Sequence, residues 1–169
     1  IHVHNFFPLV SPSIYYAAKR KGIPVVQSLH NPRLICPSAN FFRNDTLCTD
    51  CRFLPFAVPG IIHGCYKDSR LGTMSVALMS SINKLLGTWS TKVDRYIVFT
   101  DFYRNIFQTW GIPAHKITVK PHFVEPAKTE SSKQGSSKHV LFIGRLDPDK
   151  RIKSLLNAWR LLPNQDIKL

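Results

Sequence analysis

Three sets of side chains in this sequence have types and spacings that could carry chemistry. The first lies in Phe142-Ile143-Gly144-Arg145-Leu146-Asp147-Pro148-Asp149-Lys150. An apolar stretch ends at a glycine, and a guanidinium and an ammonium then flank the start of a predicted helix. Free N–H groups and the macrodipole make a helix N-terminus favourable for anions. Arg145 adds a planar fork for bidentate phosphate contact and Lys150 a point charge, so the pair could hold a diphosphate and stabilise it as it leaves. The same spacing also fits a capped, solvated helix start with incidental charge.

The second set is His4 and His30, each at the end of an apolar stretch that reads as a strand. An imidazole at the C-terminal end of a parallel strand is placed to touch a ligand. A buried histidine satisfied by backbone groups is the other reading. The third set is the cysteines, Cys36-x11-Cys48-x2-Cys51-x13-Cys65, with His63 two positions before the last. One Cys-x-x-Cys with two outlying cysteines could close a tetrahedral structural zinc site. Plain thiols are the leading alternative from spacing alone, and a disulfide is the less favoured one.

The elements that must position these groups follow from pattern. Ser11-Pro12 opens a predicted helix through Ile14, Ala17 and Ala18, and Gly22 stops it. Val25–His30 is a predicted strand, which with the strand before Asn5 makes a parallel βαβ unit. Residues 31–70 read as a long, proline-rich loop. Leu78, Met79, Ile82, Leu85, Leu86 and Trp89 then form an apolar stripe on a predicted helix. That stripe fits packing on the sheet, with an in-plane membrane helix as the alternative. Arg95–Thr100 is a strand. Thr100 or Asp101 caps a helix carrying Phe102, Ile106, Phe107 and Trp110, Gly111 ends it, and Lys116–Lys120 is another strand. Residues 127–138 hold no large apolar side chain and read as a linker. Beyond them, His139–Gly144 is a predicted strand, Asp147-Pro148 caps a helix with Ile152, Leu155, Leu156, Trp159 and Leu162, and Asp166–Leu169 begins a further strand. The fold class is α/β. Residues 1–126 form a partial Rossmann-like domain, 127–138 the linker, and 139–169 the start of a second domain.

Composition narrows the partners. With 169 residues, 44% of them hydrophobic, the chain can bury a core. Its formal net charge of +13 suits phosphate-bearing ligands, anionic lipid or nucleic acid. The basic residues are scattered, with no basic helix carrying base-reading side chains, which argues against nucleic acid. A basic nucleic-acid-binding module is kept as an alternative function. No apolar run approaches the ~20 residues that span a bilayer, and the expected location is cytoplasmic, peripheral on the inner membrane face.

The Gly144-Arg145-Leu146-x-Pro148-x-Lys150 pattern after a strand and a linker resembles the donor-domain entry of group 1 (family 4) glycosyltransferases, which have the GT-B fold. The family usually has glycine after the lysine, where this sequence has Arg151. Lys120-Pro121-His122-Phe123-Val124-Glu125 resembles the family's hinge segment, and implies domain connection rather than chemistry. Ile1-His2-Val3-His4-Asn5 and Gln27–Pro37 resemble a subgroup tied to bacterial surface-polysaccharide assembly. The resemblance implies a retaining transfer by front-face substitution, from a nucleotide-sugar donor to a lipid-linked or polysaccharide acceptor. It implies that Gly144, Arg145 and Lys150 bind the donor diphosphate, that His30 is catalytic by contacting the transferring sugar, and that His4 and Asn31 line the acceptor cleft. It implies no catalytic cofactor; structural zinc is the only metal expectation. The family's Gly-rich loop would precede Ile1 and its Glu-x7-Glu element would follow Leu169. On that reading the chain is a fragment truncated at both ends, expected to be inactive alone, with a catalytically dead relic as the alternative.

Overall fold

The computed structural model describes residues 1–125, 139–146 and 150–162. The chain divides into two compact units, Ile1–Phe123 and Val124–Leu169. The predicted linker at 127–138, the Asp147-Pro148 cap and the strand at 166–169 lie outside the described residues.

The first unit is built on four parallel strands: β1 (His2–Val3), β2 (Val26–Ser28), β5 (Arg95–Val98) and β6 (Ile117–Val119), in the spatial order β1-β2-β5-β6. His2 pairs with Val26, Gln27 with Tyr96, and Ile97 with Thr118. Parallel strands are joined by crossovers, and α1 (Ser13–Arg20) and α4 (Asp101–Trp110) supply two of them. Helix α1 ends at Gly22, whose φ of 65° relieves the chain of helical geometry. Helix α4 is framed as its sequence predicts. The Thr100 hydroxyl accepts the Tyr103 N–H, and Gly111 caps the C-terminus at φ 119°.

Between β2 and β5 the chain forms a two-stranded antiparallel hairpin, β3 (Phe42–Arg43) with β4 (Thr46–Leu47), then α2 (Val58–Ile62) and α3 (Arg70–Leu85). Gly87 breaks α3 at φ 66°, and Thr88–Lys92 forms a π-helical turn that carries Trp89 inward. Trp89 is 2% exposed; its indole N–H donates to the Ser80 carbonyl, and its ring meets Phe6 and Tyr15. The Tyr96 hydroxyl donates to the Trp89 carbonyl and the Tyr15 hydroxyl to the Gln27 side chain, so the polar ends of these buried rings are satisfied.

Two expectations are corrected. The predicted stripe of α3 is not the buried face. Leu78, Ile82, Leu85 and Leu86 are exposed, whereas Thr73, Val76, Ala77 and Ser80 are buried. The stripe was counted through Gly87, where the helix ends, so Trp89 reaches the core by a different backbone path. Thr73 can be buried because its hydroxyl donates to the Ser69 carbonyl and accepts the Tyr66 N–H. Second, no strand forms over 140–146 of the second unit, and Leu141 and Ile143 are largely exposed there. The helix expected after it is present as α5 (Ile152–Arg160).

The contrast between Trp89 and the α3 stripe is measurable. Trp89→Ala should cost about 3–5 kcal/mol in urea denaturation, the range for emptying a buried indole site. Ile82→Ser should cost under about 0.5 kcal/mol, as at an exposed position. Comparable losses would mean that the stripe faces the core after all.

Candidate functional site

Four parallel strands deliver four chain ends to one edge of the sheet, and aromatic rings follow all four. His4 follows β1, His30 follows β2, Phe99 follows β5 and His122 lies just after β6. They touch in series. His4 Nδ1 and His30 Nε2 are 3.0 Å apart, so one ring donates and the other accepts. The His30 and Phe99 ring centroids are 4.8 Å apart. Phe99 and His122 stack at 3.9 Å and 13°, and His122 also faces His30 at 6.2 Å. His2 joins from the strand itself, its ring 4.2 Å from His4 and its Nε2 2.9 Å from the Ser28 hydroxyl.

His4, His30 and Asn31 line a common small cavity of about 20 Å³ with Phe7 and Arg33. Asn31 is committed in part: its side-chain oxygen accepts the Arg33 N–H. The Arg33 guanidinium lies between Phe7 and Tyr66, 5.5 and 5.2 Å from their ring centroids, and donates to the Pro37 carbonyl at 2.5 Å. His30 and His2 are held below the usual histidine pKa. For His30 the main cause is burial, followed by the charges of His4, His122 and His2. For His2 it is burial, then His4 and Lys120. Crowded imidazoles resist protonation together, so His30 is neutral at neutral pH and offers both a donor and an acceptor.

Phe99 and His122 were not among the predicted site residues, and Lys120–Glu125 was read only as a connection between domains. Their signal was positional: each stands just past a parallel strand, on the edge that His4 and His30 occupy. Stacking between residues 23 apart leaves no local pattern.

The other predicted residues belong to other parts of the chain. Gly144, Arg145 and Lys150 belong to the second unit. Gly144 packs under the Phe142 ring, which a Cβ at that position would meet at 3.1 Å. Arg145 and Lys150 are exposed, and Lys150 stands two residues before α5. The cysteines Cys36, Cys48, Cys51 and Cys65 all carry free thiols and line one further cavity with His63. Among the described residues, no group of three or more His, Cys, Asp or Glu side chains stands as a set that could hold a metal ion.

A parallel α/β sheet is the Rossmann-like arrangement the sequence resemblance implied, and residues 1–128 match the family model of Glycosyltransferase Family 4. The chain belongs to glycosyltransferase family 4. Neither curated proteins nor solved structures gave a match. The family 4 match covers every residue of the imidazole row. Among the described residues of this family 4 chain, no helix is long and apolar enough to cross a membrane.

The row's proton affinity has a consequence for stability. The folded-state pKa of His30 lies below its ordinary value of 6.5, so the unfolded chain takes up the proton first. Stability is therefore complete above that value and falls as pH drops below it. Asp94 acts in a separate, more acidic window. Its carboxylate is held below 3.8, chiefly by its hydrogen bond from Lys19 and then by that from the Val25 N–H, and its contribution is lost only as pH falls through that depressed value. Urea midpoints at about pH 7.5 and about pH 5 should therefore differ, with the acid value lower, and His30→Gln should narrow the gap. An unchanged gap would show that the row does not exclude protons.

Proposed function

We propose that this chain acts in a retaining glycosyltransferase that moves a sugar from a nucleotide-sugar donor to a lipid-linked or polysaccharide acceptor. The observation that carries the reading is the contact of His4 with His30 beside the stacked Phe99 and His122, at the ligand edge of a family 4 sheet. A neutral imidazole can donate to one sugar hydroxyl and accept from another, and His4 fixes which His30 nitrogen carries the proton. The flat Phe99–His122 pair offers an apolar face for the C–H side of a pyranose ring. His30 positions the sugar, and His4 and Asn31 border the acceptor. Gly144 lets the backbone turn, and Arg145 and Lys150 bind the diphosphate and stabilise the charge that gathers on it as the glycosidic bond breaks.

In the intact transferase in which this chain acts, transfer should be followed as nucleoside diphosphate release from a panel of uridine, guanosine and adenosine diphosphate sugars. His30→Ala and Arg145→Ala should each lower turnover by about 100-fold or more, the effect of removing a positioned group that acts on the transition state. Circular dichroism of both variants should be unchanged. Turnover within about twofold of the parent in either variant would discard that residue's role.

A lipid-linked acceptor also calls for a membrane-facing surface. Leu71, Leu78, Ile82 and Leu85 are exposed along α3 at helical spacing, on a chain of net charge +13. An apolar stripe on a cationic protein suits the interface of an anionic bilayer. Sedimentation with phosphatidylglycerol vesicles should exceed that with phosphatidylcholine vesicles, and the pair Leu78→Asp and Ile82→Asp should abolish it. Retention by the double variant would place membrane contact elsewhere.

A further inference from the structure

The four cysteines play no part in the sugar-transfer reading, and their placement has its own logic. All the cysteines of the chain, together with His63, line a single cavity of about 20 Å³, room for one water-sized or ion-sized occupant. They reach it from separate elements. Cys36 follows the turn after β2, Cys48 and Cys51 follow the β3–β4 hairpin, and Cys65 follows α2. Packing does not account for them. Cys36 alone belongs to the hydrophobic core; Cys48, Cys51 and Cys65 are half-buried.

The cavity wall is mainly apolar, but individual polar groups reach three of the sulfurs. The Gly60 N–H hydrogen-bonds Cys51, and Gly60 allows that approach, because a Cβ there would lie 3.4 Å from Cys51 Sγ and 3.1 Å from Pro37 Cγ. The Arg43 guanidinium bonds Cys48 and pairs with Asp50 at 2.9 Å. The Cys36 sulfur lies 3.1 Å from the Ser38 hydroxyl. Amide N–H groups and guanidinium around sulfur stabilise thiolates, which carry the charge a thiol lacks.

The backbone around the cavity is also unusual. Among the described residues seven non-glycine positions have positive φ, and six of them, Ala39, Phe41, Asn44, Asp45, Lys67 and Asp68, flank the cysteines. Left-handed backbone at such residues persists where the surroundings over-determine it. The segment's own secondary structure is two strands of two residues and a helix of five, which is little to hold it.

We propose that Cys36, Cys48, Cys51 and Cys65 close on a single tetrahedral zinc ion that staples residues 36–65 beside the sugar cleft. As they stand these side chains form no set that could hold a metal, so binding requires the thiols to rotate into the cavity they line. It also requires deprotonation of the thiols, so uptake of zinc releases protons. Four sulfur ligands leave no open coordination position, so the ion is structural. The guanidiniums of Arg43 and Arg33, the second beside Cys36, offset the negative charge of a four-thiolate centre.

The test uses the whole chain, purified under reducing conditions. Mass-spectrometric metal analysis should find about one zinc per chain, and exchange with cobalt(II) should give the intense visible absorption of a tetrahedral thiolate site. Cys48→Ser and Cys51→Ser should each lower bound zinc at least about tenfold, as expected for losing a ligand rather than a neighbour. His63→Ala should keep zinc at the parent level. Should a serine variant fail to fold, the cobalt spectrum of the parent chain decides. The proposal is overturned by a reduced parent chain that binds neither zinc nor cobalt through thiolate. Iron in place of zinc, zinc loss in His63→Ala equal to that in the cysteine variants, or a disulfide between any two of these cysteines in the folded chain would overturn it as well.

Discussion

Everything functional in the first unit depends on the strands running parallel. A parallel ladder sends every chain exit to one edge of the sheet, and that edge collects whatever residue type follows each strand. Here the exits deliver His4, His30, Phe99 and His122, which no local motif would bring together. Tyr15, Tyr96 and Trp89 anchor the same sheet from beneath by rings whose polar ends are all satisfied. The Asp94 carboxylate ties the start of β2 to α1 through the Val25 N–H and Lys19. A sheet held this firmly lets exposed imidazoles keep a fixed 3.0 Å contact.

Elements governed by short-range chemistry were legible in the sequence. Helix α4 has a hydroxyl cap at Thr100, apolar residues at helical spacing and a glycine with φ 119° at its end, and each feature acts within a few residues. The alternation of strand and helix, and the placing of His4 and His30 at strand ends, followed from the same kind of reading. What failed depended on distance in sequence. The buried face of α3 was chosen by which neighbours could approach closely, and Thr73, Val76, Ala77 and Ser80 are small enough to permit it where the leucine stripe is not. Hydrophobic periodicity ranks faces by transfer energy and is blind to that geometric criterion. The stacking of His122 on Phe99 was hidden for a related reason, because it joins the ends of two adjacent strands rather than two turns of one helix.

The first unit therefore contains two regions with opposite sources of order. The sheet and its helices are specified by burial, and their backbone lies in ordinary conformations. Residues 36–68 bury little and concentrate the left-handed non-glycine residues. Such a segment gains little from hydrophobic collapse, so its conformation must come from specific local contacts or from a cross-link. Its position matters because it begins six residues after His30, on the ligand edge. Arg33, held between Phe7 and Tyr66, is one side chain that joins the two regions, since Tyr66 follows Cys65 directly. Order in the cysteine segment is in this way coupled to the wall of the small cavity that Arg33 shares with His4 and His30.

Arg151 shows how a departure from a family pattern can be read physically. The resemblance places glycine after the lysine of the diphosphate motif, and this chain has arginine there with φ 53° and ψ 35°. That is the left-handed region, where a Cβ is disfavoured and glycine is not. The backbone geometry thus accounts for the usual glycine without reference to any ligand: the chain must turn left-handed to start α5. Arginine at this position accepts the conformational penalty and adds a third cation within seven residues of Arg145 and Lys150. A polyanion held there would meet more positive charge at the same helix start, so the substitution exchanges local backbone ease for electrostatic attraction.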